Sequence, residues 1–197
     1  MGGYFTLGHS LQGLGRFGIT NHANWNNPVL IGHRSADGSE ASFLGLQVFE
    51  GSSPGVFRAR AAIQLADGTF VVSPPATNYP SACPESACLF YVLPTRDYAF
   101  TYSYDPNGGV NSQGRLHLNL TGNFPYDFVL DLTAAERAIG IHLDAFGIGA
   151  PPIGVNLGQN GEVFLDDVIY TAVPEPTAVL LLGLGGLVLR SRRRGGR

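Results

Sequence analysis

The clearest pattern in the chain is alternation. Between residues 57 and 65, Phe57, Ala59, Ala61, Ile63 and Leu65 alternate with Arg58, Arg60, Ala62 and Gln64. A period of two puts one set on each face of an extended chain, so this run predicts a strand with one buried face. Leu116, Leu118 and Leu120 alternate with Arg115, His117 and Asn119 in the same way. Phe128, Leu130 and Leu132 alternate against Asp127 and Asp131, and Tyr98, Phe100, Tyr102 and Tyr104 mark residues 97–104 as another strand. Apolar runs at 28–33, 42–50, 69–73, 89–93, 139–148 and 162–171 supply the remaining strands.

Turn chemistry punctuates these runs. Asp67-Gly68 predicts a two-residue hairpin between the strands on either side. Asp105-Pro106-Asn107-Gly108-Gly109 turns the chain, and prolines 74, 75, 80 and 84 make residues 74–87 a long loop. Thr133 and Glu136 have the spacing of a capping box, and Gly140 stops any helix within two turns. Residues 1–27 are rich in Gly, Asn and His without a period, which predicts irregular structure with one short strand. About ten short strands without a long helix predict an all-β fold, an antiparallel two-sheet jelly-roll sandwich. The 27 glycines and 13 prolines in 197 residues agree with many turns.

The alternation stops at residue 173. Pro174-Glu175-Pro176 follows, then residues 177–189 without a charge, then Arg190, Arg192, Arg193, Arg194 and Arg197. The two prolines fix φ and deny this entry segment regular structure. The apolar run predicts a short C-terminal hydrophobic helix of ~20 Å, against a hydrocarbon core of ~30 Å. Its glycines, Gly183, Gly185 and Gly186, weaken it further. It is a marginal anchor, with the arginines on the cytoplasmic side. The chain thus divides into a sandwich domain, 1–172, and a terminal segment, 173–197.

Charge follows the same division. The tail takes five of the 12 basic residues and one of the 15 acidic ones, so the body holds seven against 14, a net of −7. An acidic body argues against nucleic acid as a partner, because phosphate binding needs clustered cations.

The order of the three tail blocks resembles the PEP-CTERM sorting signal of Gram-negative bacterial surface proteins. The resemblance implies an exported protein, transiently anchored in the inner membrane and then sorted to the cell surface or matrix. It also implies an exosortase as processing partner, acting near Pro174, Glu175 and Pro176, with Arg190, Arg192, Arg193 and Arg194 as the membrane stop. Export suits a disulfide between Cys83 and Cys88, two free thiols being the alternative. Met1 to Ser10 has neither a basic start nor an apolar run, so the expectation is a chain truncated at its N-terminus, with the secretory leader upstream.

From Tyr98 onward a second resemblance runs through Tyr104-Asp105, Gly114-Arg115-Leu116, Leu130-Asp131-Leu132, Asp144 to Gly147 and Phe164 to Thr171. This order is similar to the concanavalin A-like, or LamG-like, sandwiches. Their glucanase members carry closely spaced carboxylates on one strand, as retaining hydrolysis demands. This chain has no such array. The expectation is therefore a non-catalytic structural or carbohydrate-contacting module, with polysaccharide as partner. The alternative is a divergent extracellular glycan hydrolase or esterase.

Other motifs lack their context. Gly13-Leu14-Gly15-Arg16-Phe17-Gly18 has the spacing of a dinucleotide loop, but no helix pattern follows it. Ser53, between Gly51 and Gly55, precedes a strand rather than the helix of a nucleophile elbow, although Asp131 and His142 follow in triad order. Asp105, Asn107, Asp166 and Asp167 offer oxygen ligands for Ca²⁺, yet fall short of the usual six, and turn chemistry is the preferred reading. Histidines 9, 22, 33, 117 and 142 lack zinc spacing, and Trp25 is read as a loop anchor before a sugar platform. No cofactor is expected.

Overall fold

The computed structural model describes residues 5–19, 28–35, 42–50, 57–74, 90–92, 96–122, 125–149 and 163–173. Eleven strands run through them: β1 (Ser10–Ile19), β2 (Val29–Arg34), β3 (Phe43–Glu50), β4 (Phe57–Gln64), β5 (Phe70–Val72), β6 (Phe90–Val92), β7 (Asp97–Asp105), β8 (Arg115–Thr121), β9 (Pro125–Asp131), β10 (Ala145–Gly149) and β11 (Val163–Val173). The helix α1 (Ala134–Ile139) separates β9 from β10.

The strands form two antiparallel sheets, one ordered β11-β1-β7-β8-β9 and the other β10-β2-β3-β4-β5, with β6 also on β4. The fold is an all-β two-sheet sandwich of jelly-roll type. Its first and last strands close it: β11 pairs with β1 in one sheet, and β10 with β2 in the other. The core lies between the sheets. Tyr98, Phe100, Tyr102 and Tyr104 enter it from β7, Leu116, Leu118 and Leu120 from β8, and Ala59, Ala61 and Ile63 from β4. These are the alternating positions of the sequence.

Residues 1–27 require a correction. They hold the ten-residue β1, central between β11 and β7. Its buried and exposed positions alternate perfectly from Leu11 to Phe17, but two buried ones are Gly13 and Gly15. A Cβ on Gly13 would stand 2.6 Å from the Tyr102 ring, and one on Gly15 3.1 Å from the Phe100 ring. Aromatic rings from β7 therefore fill the space that β1 leaves empty. The strand is amphipathic in burial while its sequence shows no hydrophobic period.

Two smaller corrections follow. The run at 139–148 is not one strand: α1 extends to Ile139, Leu143 bridges Phe5, and β10 begins at Ala145. Ile141 and Leu143 are core residues within this connection. The Asp67-Gly68 hairpin has a longer loop than two residues. Gly68 N–H donates to Leu65 O, and Leu65 N–H to Thr69 O, with Gly68 at φ 87°. That is a turn followed by a left-handed residue, the common three-residue hairpin. The capping box is present, Thr133 accepting from Glu136 N–H and Glu136 from the Thr133 backbone. From α1, Arg137 donates to Tyr104 Oη, Pro106 O and Gln113 O, which ties the turn after β7 to the helix.

A histidine and a tyrosine hydroxyl meet in the core. His33 of β2 is 1% exposed, and its Nδ1 lies 2.6 Å from Tyr102 Oη. Burial pushes the His33 imidazole down to about 4 and pushes the Tyr102 hydroxyl up, so the neutral pair is favoured. Nδ1 and the hydroxyl share one hydrogen bond, whose direction follows the imidazole tautomer, and Nε2 has no partner among the described residues. Rings of Phe5, Tyr102, Phe146 and Tyr170 meet His33 edge-on. Phe146 and Tyr170 stack on each other at 4.7 Å, joining edge strand β10 to edge strand β11. Such a ring pair contributes roughly 0.5–1.5 kcal/mol beyond its buried area.

Candidate functional site

The outer face of the five-stranded sheet carries the polar half of the alternation. Register assembles it into rows. Thr171, Gln12, Ser103, His117 and Val129 are cross-strand neighbours over five strands. Ile169, Leu14, Thr101, Asn119 and Asp127 form the next row. Between these rows, over β11, β1 and β7, lies a concavity of about 180 Å³. Gln12, Leu14, Thr101, Ser103, Ile169 and Thr171 line it, with Gly13, Tyr102 and Tyr170 beneath. Its lining is three hydroxyls, one amide and two aliphatic side chains, without a charge.

Two ion pairs lie on this face. Arg115 donates to both carboxylate oxygens of Asp131, at 2.6 and 2.8 Å. The Arg115 guanidinium holds the Asp131 carboxyl below the usual carboxylate range. Arg16 lies 3.6 Å from Asp97. Asp127 Oδ1 accepts from Asn119 Nδ2 at 2.7 Å and lies 3.2 Å from His117 Nε2. On the other sheet, Arg60 donates to Gln47 Oε1 at 2.6 Å and covers the Phe49 ring at 4.5 Å.

Ser103, His117 and Asp127 are the residue types of a hydrolytic triad, and Ser103 stands directly opposite His117. The reading from sequence missed this set, spread over two adjacent rows, because only the pairing of β7, β8 and β9 creates it. The strand that carries Ser103 does not supply the oxyanion hole that acyl transfer needs. β7 is paired on both sides, by β1 and β8, so its backbone N–H groups are committed to the ladder and none forms an oxyanion hole beside Ser103.

The residues singled out from sequence fall elsewhere. Asp131 is occupied by Arg115, and the His142 backbone N–H donates to Ser42 Oγ. Asp105 Oδ1 accepts from Asn107 N–H, a turn role. Asp166 Oδ1 accepts from Asp167 N–H, and Asp167, at φ 52°, marks a bulge opposite Gly15. Among the described residues no group of three or more His, Cys, Asp or Glu side chains is placed to hold a metal ion. Gly13, Gly15 and Gly18 face rings of Tyr102, Phe100 and Phe164, so their spacing serves packing. His22, Trp25, Ser53, Cys83, Cys88, Pro174, Glu175, Pro176 and the arginines at 190, 192, 193 and 194 lie outside the described residues, as does the C-terminal helix. Among the described residues no helix is long and apolar enough to cross a membrane.

Residues 172–194 match the PEP-CTERM protein-sorting motif. No curated protein matches the chain in sequence. Among solved structures, an alginate lyase from Alteromonas sp. 272 is similar at 8% identity and a TM-score of 0.43, covering 86% of this chain and 75% of the lyase. What places this chain among known sequences is therefore its last segment, where a PEP-CTERM sorting motif occupies residues 172–194.

Proposed function

We propose that this chain is an exported, surface-sorted module whose sandwich contacts carbohydrate and performs no catalysis. The observation that carries the sorting half is the PEP-CTERM motif at residues 172–194, which supports export, a membrane-anchoring C-terminal segment and processing by an exosortase. On this reading residues 1–172 are the cargo and 173–197 the address. Pro174, Glu175 and Pro176 present the processing site, and Arg190, Arg192, Arg193 and Arg194 hold the cytoplasmic end. A Cys83–Cys88 bridge closes a loop of the exported body.

The concavity supports the binding half. Hydroxyls and an amide beside aliphatic surface suit a neutral, hydroxyl-rich chain better than an anionic polymer, because no cation lines the groove among the described residues. The destination is the cell surface or an extracellular matrix. Two experiments test the reading. Expression in a host with an exosortase should yield a mature protein lacking Arg197 by mass measurement; an intact C-terminus on surface protein counts against sorting. A glycan array should show binding that Leu14→Asp and Thr101→Arg abolish. The second reading, a divergent glycan hydrolase or esterase, rests on Ser103, His117 and Asp127, which lie on adjacent rows of this face. Turnover lost in Ser103→Ala would establish it.

A further inference from the structure

We infer that the sorting signal joins the sheet without a spacer, so that processing requires the end of β11 to leave β1. This rests on the exosortase reading above. The matched motif begins at residue 172, inside β11, which extends to Val173. Ala172 is paired with Leu11, and Val173 with Ser10. Pro174 follows at once. Proline has no N–H to donate and drives the preceding residue to extended backbone, so the ladder runs up to the signal and stops there.

A peptide-cleaving site takes its substrate as an extended strand and engages backbone N–H and C=O groups on it. Groups already bonded to β1 cannot serve both partners. The residues just before Pro174 are therefore masked while β11 is paired.

Two features make a limited release feasible. β11 is an edge strand, whose backbone pairs with β1 alone among the described residues. Ile169 and Tyr170 are 60% and 56% exposed, so these two residues bury less than half of their surface. Tyr170 is the holdfast: its ring stacks on Phe146 at 4.7 Å and meets His33 at 5.9 Å. Release of the backbone pairs at residues 172 and 173 leaves the strand held at Tyr170 by these ring contacts. Cleavage of a transiently opened segment follows the population of the open form when opening is fast.

The test is a pulse-chase of the full chain in an exosortase-bearing host. It compares the native chain, an insert of about six Gly and Ser residues between Val173 and Pro174, and Tyr170→Ala. We expect the insert to speed conversion to the mature form by ~5-fold or more, and Tyr170→Ala by ~2-fold or more. The insert lies outside the paired residues and should leave the melting temperature unchanged. Equal rates for the native chain and the insert overturn the inference and leave the sorting reading intact. Acceleration by the insert alone assigns the barrier to crowding at the membrane and overturns strand release. No conversion in any of the three overturns the sorting reading and the inference with it.

Discussion

His33 makes the stability of the sandwich depend on pH, in a direction the geometry dictates. Its imidazole is 1% exposed, ringed by aromatic side chains, and hydrogen-bonded to the Tyr102 hydroxyl. A second proton would have to sit in this apolar site, where no carboxylate pairs with it among the described residues. Burial accordingly lowers its pKa from 6.5 to about 4. The unfolded chain then binds more protons than the folded one between these values, so stability rises with pH across that window. It is fully present above pH 6.5 and falls as the pH drops toward 4. The whole window is worth about 3 kcal/mol, of which about 2 kcal/mol is gone by pH 5. That is a large share of the ~5–15 kcal/mol that keeps a domain folded. The assay is urea denaturation at about pH 7.5 and pH 5 for the native protein and His33→Gln, whose amide can donate to or accept from Tyr102. The carboxylates titrate alike in both, so the difference between the two proteins isolates His33. We expect the native protein to lose about 2 kcal/mol more than the variant on acidification. An equal loss in both would refute the buried neutral imidazole.

Three further outcomes follow from packing and capping. Gly13→Ala should destabilise by about 1–3 kcal/mol in the same denaturation assay, because its Cβ meets the fully buried Tyr102 ring at 2.6 Å. Gly147→Ala, with nothing within 4 Å of its Cβ, should stay within about 0.5 kcal/mol and serves as the control. Tyr102→Phe removes the hydrogen-bond partner of His33 Nδ1 and leaves a buried polar atom unsatisfied, which should cost about 1–3 kcal/mol. Thr133→Ala removes the cap of α1 and should cost about 1 kcal/mol, read as a lowered denaturation midpoint.

The alternating runs at 57–65, 97–104, 115–120 and 128–132 were readable because each side chain answers one local question, water or core. The Thr133 cap and the turn residues were readable for the same reason: they satisfy backbone groups a few residues away. The tail was readable as a sequence of blocks, since its match depends on order along the chain and not on contacts. β1 was hidden, because its inner positions are glycines that yield their volume to Tyr102 and Phe100, residues about 90 positions downstream. The outer-face rows were hidden as well. Gln12, Ser103 and His117 become neighbours only through the registers of β1 on β7 and β7 on β8. His33 looked like any lone histidine until the second sheet placed Tyr102 against it. Local pattern is set by what each residue prefers; the groove, the buried imidazole and the strand that runs into the signal are set by pairings between distant segments, which no local preference encodes.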